Sequence, residues 1–495
     1  MNKLICLILS VSVVSFSFGQ KKVITLTLEE CIGLATDSSL QAFRAKNQYI
    51  SDYWAYRTYK ASRLPSVSMQ LTPVQYNSNI TKRYDYQENI DRYRLLQSVS
   101  SSAGISVFQN FELTGGTFTL SSDLDYMQNF GENIYKQFSS IPVRLGYSQS
   151  MFGFNRFKWE KRIEPLKYEK AKQQYLYSRE TISETAVNYF FSLAMAQAEY
   201  AMAVENLSSA DSLYIAGKER YRISSISQAD LLTLQLDLVN AENAMENVIT
   251  HLQQSAYVFS SFFNLEKDCE IRPLLPEIPE NIQIFAEEAI ARMKANNPNI
   301  LSYRQQVLES EQEMDRTRKE SGFNASLSTS IGFNQTGEHL SDAYTGLLRQ
   351  SIAGITLSIP LIDWGIRKGR LNMAKNNLDI TRLTAKQSEQ DLEQEVIATL
   401  SEFHKQQRLI DKTKEALKMA IASYTINKQR FVVGKSDLTS LTLSLNRKME
   451  AQRNYLAALS NYWKSYYAIR KLTLHDFFRQ RSLTFLFDVF ENGNN

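Results

Sequence analysis

Residues 354–375 read GITLSIPLIDWGIRKGRLNMAK, and two different periodicities meet within this stretch. Every second residue from 355 to 361 is apolar, which is typical of a β-strand with one apolar face. Residues 363–430 then contain no proline and only two glycines. At 1.5 Å per residue they predict a single helix of roughly 100 Å. The stretch therefore predicts a strand that leads directly into a very long helix.

Apolar residues at heptad spacing predict that this long helix is part of one of two helical hairpins. Two long helices that are joined by a short polar turn run antiparallel. Heptads alone also fit a fibrous coiled coil, but many of these positions hold Ala, Ser, Thr or Tyr, which favours helices with additional neighbours. The heptad segments are 182–214 and 231–262 around a break at 222–227, and 392–424 and 438–466 around a break at 433–437.

The two hairpins belong to an internal duplication. Leu28–Ile32 matches Ala286–Ile290 at an offset of 258 residues, and Phe152-Gly153 matches Trp364-Gly365 at an offset of 212. Each copy is expected to open with one helix, which ends near Leu64 in the first copy and near Gly322 in the second. The predicted organisation is a signal peptide (1–19), a first repeat (20–272), a proline-containing linker (273–281), a second repeat (282–475) and a C-terminal tail (476–495).

Four segments of period two follow the opening helices, two in each copy. They begin at Ser66, Ile141, Asn324 and Gly354, and each has one apolar face and one face of small polar residues. Soluble sandwich strands alternate in the same way, but lipid-facing barrel strands do so as well. Because four strands leave unpaired backbone groups at open edges, a barrel would have to be shared with copies of the same chain.

About 46 additional residues lie in the first copy, between its opening helix and its long hairpin. Residues 77–97 are polar and rich in tyrosine, and we expect an exposed loop there. Residues 105–125 surround Thr114-Gly115-Gly116-Thr117, which is a hairpin-turn sequence, so an added hairpin is the alternative.

The N-terminus predicts export. Lys3 precedes an apolar core at 4–14, and Ser17 and Gly19 precede a cleavage point near Gln20. No later run of about 18 apolar residues predicts a membrane-spanning helix. The exported chain is therefore expected to be either soluble or inserted as a β-barrel.

Composition and motifs predict no enzyme. The 56 basic and 52 acidic residues nearly balance, so no nucleic-acid partner is expected. The four histidines are dispersed, and no phosphate-binding loop or nucleophile motif is present, so no metal or cofactor is expected. Cys31 and Cys269 could form a disulfide after export or remain as two thiols, and their spacing does not decide between these alternatives.

The order of helix, strands and long hairpin, found twice, resembles the TolC family of outer-membrane efflux proteins. Pro360-Leu361-Ile362-Asp363-Trp364-Gly365 is similar to the strand-to-helix junction of that family, and Phe152-Gly153 is its counterpart in the first repeat. Residues 430–438, RFVVGKSDL, resemble its second inter-helix turn. Arg220-Tyr221 and residues 227–232 follow the same pattern less closely.

The resemblance implies a mostly helical chain with transmembrane strands. Three copies would form a twelve-stranded β-barrel in the outer membrane, with four strands from each chain, continued in the periplasm by a long antiparallel α-helical barrel. A periplasmic adaptor would open the closed tip, and an inner-membrane pump or ABC transporter would supply the substrate. The residues that take the positions of tip and gate are Arg222, Ser224, Ser227, Asp230, Val433, Gly434, Lys435, Ser436 and Asp437.

Two departures from the family concern the tip. Ser224 stands where the family usually has glycine, and Ser440 and Leu443 stand near the positions of acidic residues that narrow the pore in other members. We therefore consider that Asp230 or Asp437 supplies the charge at the tip and that Lys435 pairs with one of them. The alternative is that these charges are solvated turn residues with no part in gating. The alternative function is a structural coiled-coil protein without a channel. The sequence names neither the exported substrate nor the class of pump.

Overall fold

The computed structural model describes residues 23–130, 134–265, 270–277, 282–433 and 435–484. The predicted signal peptide, Cys269, Gly434 and the end of the tail lie outside these residues. The described chain divides into two compact units. The helical unit contains the residues up to Lys46, Tyr177–Ala291 and Val396–Leu483, and the sheet unit contains Asn47–Leu176 and Arg292–Glu395.

The elements follow one another in an order that occurs twice. They are β1 (Val23–Thr27), α1 (Leu28–Ser38), α2 (Leu40–Ala61), β2 (Ser66–Asp85), β3 (Ile90–Phe111), β4 (Gly116–Phe130), β5 (Tyr135–Ser150), α3 (Arg156–Arg222), α4 (Gln228–Phe263), β6 (Glu270–Leu274), α5 (Ala286–Asn296), α6 (Pro298–Glu320), β7 (Asn324–Gly337), β8 (Leu348–Ser358), α7 (Ile366–Val432), α8 (Leu438–Thr473), β9 (His475–Asp476) and β10 (Arg481–Ser482).

Helix lengths repeat together with the order. The helices α3 and α7 have 67 residues each, and their partners α4 and α8 have 36 residues each, with both pairs offset by 210 residues. The helices α1 and α5 have 11 residues each. The predicted fold class, a mostly helical chain with antiparallel strands and an internal duplication, is confirmed.

The opening helix of each copy is two helices, where the sequence predicted one. The Ser39 hydroxyl accepts a hydrogen bond from the Ala42 N–H at 3.1 Å, and this bond caps α2. In the second copy the Asn297 side chain accepts from the Asn299 N–H at 2.9 Å, and Pro298 occupies the first turn of α6. Both breaks thus carry residues that favour a helix start.

The start of the first copy is fixed by a capping box. The Glu30 carboxylate accepts from the Thr27 N–H at 2.8 Å, and the Thr27 hydroxyl accepts from the Glu30 N–H at 3.3 Å. The strand β1, which ends at Thr27, pairs in parallel with β6, and Leu26 lies opposite Pro273. The beginning of the predicted linker is therefore part of a strand. Cys31 is buried on α1, and burial raises the pKa of its thiol to about 12.

The sheet unit contains one six-stranded sheet in the order β2-β3-β4-β5-β7-β8, and every neighbouring pair is antiparallel. The prediction of four strands per chain is therefore wrong, because the additional residues of the first copy form β3, β4 and the outer half of β2. The expected loop at 77–97 is instead a paired arm, in which Lys82 and Asp91 form an ion pair at 2.7 Å. The alternative hairpin is present, and Gly115 takes a φ of 79° in its turn.

The helical unit is built on the predicted heptad positions. Ile182, Ala186, Leu193 and Ala196 of α3 are buried, and the corresponding positions of α4 are buried or half-buried. In the second hairpin, Phe403 of α7 is buried, and its ring stacks on the ring of Tyr462 of α8. The heptads therefore mark the packed faces of these helices.

The start of the tail is held by a buried ionic network. Arg470 of α8 lies 2.8 Å from the Glu180 carboxylate and 3.1 Å from the Asp476 carboxylate. Asp476 also accepts a hydrogen bond from the Tyr466 hydroxyl at 2.8 Å. Burial alone would raise the pKa of Asp476, but Arg470 and Tyr466 hold it below its ordinary value. Phe477 is buried beside this network, as expected for a tail that packs against the helices.

This network predicts a large loss of stability on removal of its cation. Arg470→Met keeps the apolar volume but leaves Glu180 and Asp476 buried without a positive partner. Removal of one member of a buried pair costs about 3–5 kcal/mol, so the unfolding temperature of the purified protein should fall strongly. Arg222→Met is the matched control, because the exposed Arg222 lies away from this network and pairs with Glu219 of its own helix at 3.2 Å, and such exposed pairs contribute about 0–1 kcal/mol. Equal unfolding temperatures for the two variants would contradict this account.

Candidate channel wall and helical tip

One face of the six-stranded sheet is apolar and exposed. The strand register places Val67, Val107, Leu120, Leu145 and Ile331 in one row across five neighbouring strands. Val67 is 70% exposed and Leu145 is 53% exposed. Soluble proteins rarely expose a continuous apolar patch of this extent, whereas lipid-facing strands of membrane barrels do.

Aromatic pairs bound this apolar face at two levels. The rings of Phe118 and Tyr147 lie 4.5 Å apart, and those of Tyr126 and Phe138 lie 4.9 Å apart. Phe118 and Tyr126 are eight residues apart on the same face of β4, which corresponds to about 26 Å along the strand at ~3.3 Å per residue. A lipid-facing band of about 25 Å between two aromatic girdles is typical of outer-membrane barrels.

The opposite face of the sheet is polar and carries an ion pair. Ser106, Ser121 and Arg144 form one row across three strands. The Arg144 Nη2 atom lies 2.7 Å from the Asp123 Oδ2 atom, and Arg144 Nε donates to the Ser121 hydroxyl at 3.3 Å. Gly104 lies opposite Asp123, and a Cβ there would come within 2.7 Å of Asp123 Oδ1. The missing side chain thus makes room for the carboxylate.

The second strand-to-helix junction is a compact turn around Asp363. Its carboxylate accepts hydrogen bonds from the N–H groups of Gly365 at 3.2 Å and Arg367 at 3.0 Å, and from the Arg367 side chain at 2.5 Å. Arg367 also donates to the Pro360 carbonyl at 3.3 Å. The Arg367 bonds lower the pKa of Asp363 to about 2. The cap by the ionised Asp363 carboxylate is therefore complete above the pKa of Asp363 in the unfolded chain, which is about 4. It is lost only as the pH falls toward 2.

The same junction projects apolar side chains outward. Trp364 is 93% exposed and has a φ of 54°, and Gly365 follows with a φ of 87°. In the first copy Phe152 is exposed and contacts the ring of Phe323 at 5.0 Å. Gly153 has no space for a side chain beside Ser150. Exposed Trp and Phe at the end of a lipid-facing sheet are typical of a membrane interface.

The first junction is capped by a residue that the sequence analysis did not name. Asn155 accepts a hydrogen bond from the Lys158 N–H at 3.1 Å and donates to the Glu112 carbonyl at 2.9 Å. It therefore caps α3 and also holds the β3–β4 turn. Sequence reasoning missed Asn155, although an asparagine just before a helical pattern is a recognised start signal.

The first turn of the helical tip has Schellman geometry. The N–H groups of Ser224 and Ser225 donate to the carbonyls of Tyr221 and Arg220, both at 2.8 Å. Ser224 takes a φ of 57°, a left-handed conformation that glycine adopts more readily than other residues. Arg222 pairs with Glu219 within its own helix at 3.2 Å.

The helices that follow the two turns are both capped by predicted tip residues. Asp230 accepts hydrogen bonds from the Ser227 N–H at 3.0 Å and the Ser227 hydroxyl at 2.7 Å, which lower its pKa. In the second turn Asp437 accepts from the Ser440 N–H at 2.6 Å, and its pKa is also lowered. Both carboxylates are thus engaged within their own turns. The Lys435 N–H donates to the Arg430 carbonyl at 2.8 Å, while Ser436 is half-buried and Val433 is exposed.

Contacts that the sequence did not predict join the two hairpins near these turns. The Arg220 Nη2 atom donates to the Phe431 carbonyl at 3.4 Å, and its guanidinium lies 4.9 Å from the Phe431 ring. Lys448 Nζ lies 2.7 Å from both carboxylate oxygens of Glu205. The hydroxyls of Ser209 and Tyr424 lie 3.3 Å apart. We call these three contacts the hairpin ties.

An apolar cluster accompanies the hairpin ties. It consists of the buried Tyr424, Phe431, Leu441 and Leu445, with Leu213 of the first hairpin packed against it. One signal in the sequence could have located part of this region. Arg220-Tyr221 and Arg430-Phe431 lie at equivalent positions of the two copies, 210 residues apart, in a segment where polar turn residues begin.

Two negative observations concern the residues that the structure describes. None of the helices in this part of the chain is both long and apolar enough to cross a membrane. No group of three or more His, Cys, Asp or Glu residues within it could hold a metal ion.

Comparison with known proteins identifies the fold. Residues 289–473 match the model of the family described as outer membrane efflux protein, and no curated protein sequence matches the chain. Solved structures with similar folds include a membrane protein from Pseudomonas aeruginosa (14% identity, TM-score 0.64, 90% of both chains covered), VceC from Vibrio cholerae (13%, 0.60, 90% of this chain and 95% of that one) and CmeC from Campylobacter jejuni (14%, 0.63, 90% and 85%).

The duplicated hairpins and the antiparallel sheet thus have the fold of outer-membrane efflux channels. Residues 289–473 carry the outer membrane efflux protein domain, and the predicted resemblance to the TolC family is confirmed. This family consists of channels rather than enzymes.

The left-handed backbone at the second junction predicts opposite effects of two glycine replacements. Neither Gly365 nor Gly369 has an atom within 4 Å of an added Cβ, so packing does not interfere with the comparison. Gly365→Ala places a side chain at a φ of 87° and should destabilise the protein by about 1 kcal/mol. Gly369→Ala lies inside α7 and should stabilise it by about 0.5–1 kcal/mol. Thermal unfolding in detergent measures both, and a shift of the same sign would contradict the assigned backbone.

Proposed function

We propose that this protein is the outer-membrane exit channel of an export system, a passive duct formed by three copies of the chain. The observation that carries the proposal is the sheet itself. It exposes one apolar face with aromatic borders, and its other face is lined by Ser, Asp and Arg. Such a sheet separates lipid from water once its edges are closed.

Exposed apolar stripes on the helices support assembly with further copies. Leu232, Leu236 and Val239 of α4 are exposed at helical spacing in the helical unit. Met373 and Leu383 of α7 are exposed in the sheet unit. A lone chain would leave both stripes in water, whereas neighbouring copies would cover them. The helices would then lie in the periplasm, on the inner side of the outer membrane.

The two tip turns are the proposed docking surface for a periplasmic adaptor. Their predicted residues Arg222, Ser224, Asp230, Val433 and Lys435 are all exposed. An inner-membrane pump or ABC transporter would supply the substrate, so that this chain needs no selective binding site of its own. Two solved structures with similar folds are those of outer-membrane channels, OprN and an open state of MtrE from Neisseria gonorrhoeae.

The hairpin ties are the proposed lock of the tip. They hold α3 of the first hairpin against the second hairpin by one guanidinium–carbonyl bond, one ammonium–carboxylate pair and one contact between hydroxyls. Opening requires the hairpins to separate, and an adaptor that binds the turns more strongly in the separated state would shift the equilibrium.

The channel itself is tested by conductance in a planar bilayer. We expect the purified protein to form discrete water-filled channels. Replacement of Arg144 by alanine should shift their selectivity toward cations, because it removes a positive charge from the polar face and leaves Asp123. Asp123→Ala is the matched control and should shift selectivity toward anions. Absence of any channel would favour a structural coiled-coil protein, and unchanged selectivity in both variants would show that this ion pair does not set the selectivity of the pore.

Removal of a hairpin tie should open the tip. Arg220→Ala and Lys448→Ala each remove one cross-hairpin contact, and a partly exposed ion pair contributes about 1 kcal/mol, which corresponds to about a fivefold shift in the open-to-closed ratio. Mean conductance should therefore rise in both variants. Arg222→Ala is the control, because Arg222 pairs only within its own helix. Conductance that is equal in all three variants would remove the hairpin ties from the gate.

A further inference from the structure

The six-stranded sheet has two free edges, and a segment of each edge strand lacks the charges and prolines that protect edges in soluble proteins, although β2 also contains Pro73 and Lys82 and β8 contains Arg349. In the described part of the sheet, β2 and β8 each pair on one side only. Residues 350–358 of β8 read QSIAGITLS and carry no charge and no proline. Residues 66–72 of β2 read SVSMQLT and carry none either. Natural edges that avoid association usually bear lysine, proline or inward-facing charges.

We infer that β8 of one copy pairs with β2 of the next, so that three copies close an eighteen-stranded barrel. The inference rests on the proposed trimeric channel and deepens it. Six strands from each of three chains give eighteen, where the resemblance to the TolC family implies twelve. The partner at each edge is a second copy of this chain.

Strand direction fits this pairing. Five antiparallel steps separate β2 from β8, so the two edge strands run in opposite directions. When β8 meets β2 of a neighbouring copy, antiparallel pairing therefore continues around the ring. The contribution of an even number of strands by each chain makes this possible at all three junctions.

The faces of the sheet also agree across the proposed junction. Ile355 and Leu357 of β8 share the face of Ile331 on β7, and the register connects Ile331 to Val67 on β2. Both edge strands thus expose most of their apolar residues next to this junction on the same side as the rest of the sheet, and Ile352 of β8 is an exception on the polar face. A closed ring would have an uninterrupted apolar outer surface.

Closure within one chain does not fit the polar face. A barrel of eight strands is only just wide enough for its interior to be filled by side chains, and six strands would enclose still less space. The ion pair of Arg144 and Asp123 would then be buried without water. Barrels of 16–18 strands hold an aqueous channel, in which this pair stays hydrated.

The strand number has a consequence for transport. Because barrel diameter grows roughly linearly with strand number, an eighteen-stranded wall is about half again as wide as a twelve-stranded one. The membrane part of the duct would then not be its narrowest point, and passage would be controlled at the helical tip. A barrel of this width would admit solutes as large as those that pass through porins.

Spin-label accessibility in liposomes tests the inference. The labels are placed on β3 and β4, because these two strands belong to the barrel only if each chain contributes six strands rather than four. Single cysteines replace neighbouring residues on β3 (Ser106, Val107), on β4 (Leu120, Ser121) and, as a reference, on β7 (Ser330, Ile331). Cys269 is replaced by alanine, and the buried Cys31 is kept. We expect Val107, Leu120 and Ile331 to be reached by oxygen dissolved in lipid, and their neighbours by a nickel chelate in water. Native mass spectrometry of the same samples should give three copies.

The outcomes separate this inference from the proposed function. Alternation on β7 with water access to both residues on β3 and β4 would overturn the eighteen-stranded barrel and leave the channel intact. A stoichiometry of two or four copies would also overturn it. Loss of alternation on all three strands would overturn the channel as well.

Discussion

Backbone hydrogen bonding in lipid is the constraint on which the rest of this structure depends. A peptide N–H or C=O in hydrocarbon costs several kcal/mol unless it is paired. The sheet satisfies this requirement internally through five antiparallel ladders, but β2 and β8 remain open. The exposed apolar side chains of the sheet point to the same environment, because contact with lipid favours them and contact with water does not. In the proposed channel, neighbouring copies supply the missing strand partners at both edges.

The helical unit combines very long helices with weaker contacts near their turns. Two hairpins of identical dimensions arise from an internal duplication, and each turn is closed by a Schellman-type bond followed by a side-chain cap. Buried heptad residues hold each hairpin together along its length. Near the turns the hairpins are joined by Leu213, which packs against the apolar cluster of the second hairpin, and by a few partly exposed polar contacts, such as Glu205 with Lys448. Polar contacts of this kind are weak individually, which fits the proposal that the tip opens.

The sequence predicted the features that depend on local periodicity. The heptads located the packed faces of the long helices, and the matching offsets located equivalent helices in the two copies. It failed at residues 77–97 because both faces of the outer arm are polar, so no alternation of hydrophobicity marks these strands although pairing continues. At residues 105–125 the alternation is present, with Val107 and Leu120 on one face and Ser106 and Ser121 on the other, and it supported the hairpin only as an alternative. The tip shows a second limit of prediction from sequence. Asp230 was considered as a gate charge, and in the structure its carboxylate takes part in the cap of α4. The hairpin ties join residues more than 200 positions apart, and no local pattern marks them.

Cross-linking of the two edge strands tests the central claim most directly, because it shows whether β8 lies beside β2 of the same chain or beside β2 of another copy. Cysteines at Met69 on β2 and Ile355 on β8, in a protein with Cys269→Ala, would be linked in liposomes by a flexible bis-maleimide. Our account predicts a ladder of cross-linked species that ends at three chains. A product with the mass of one chain in which both cysteines are consumed would show that the sheet closes on itself, and would contradict the account.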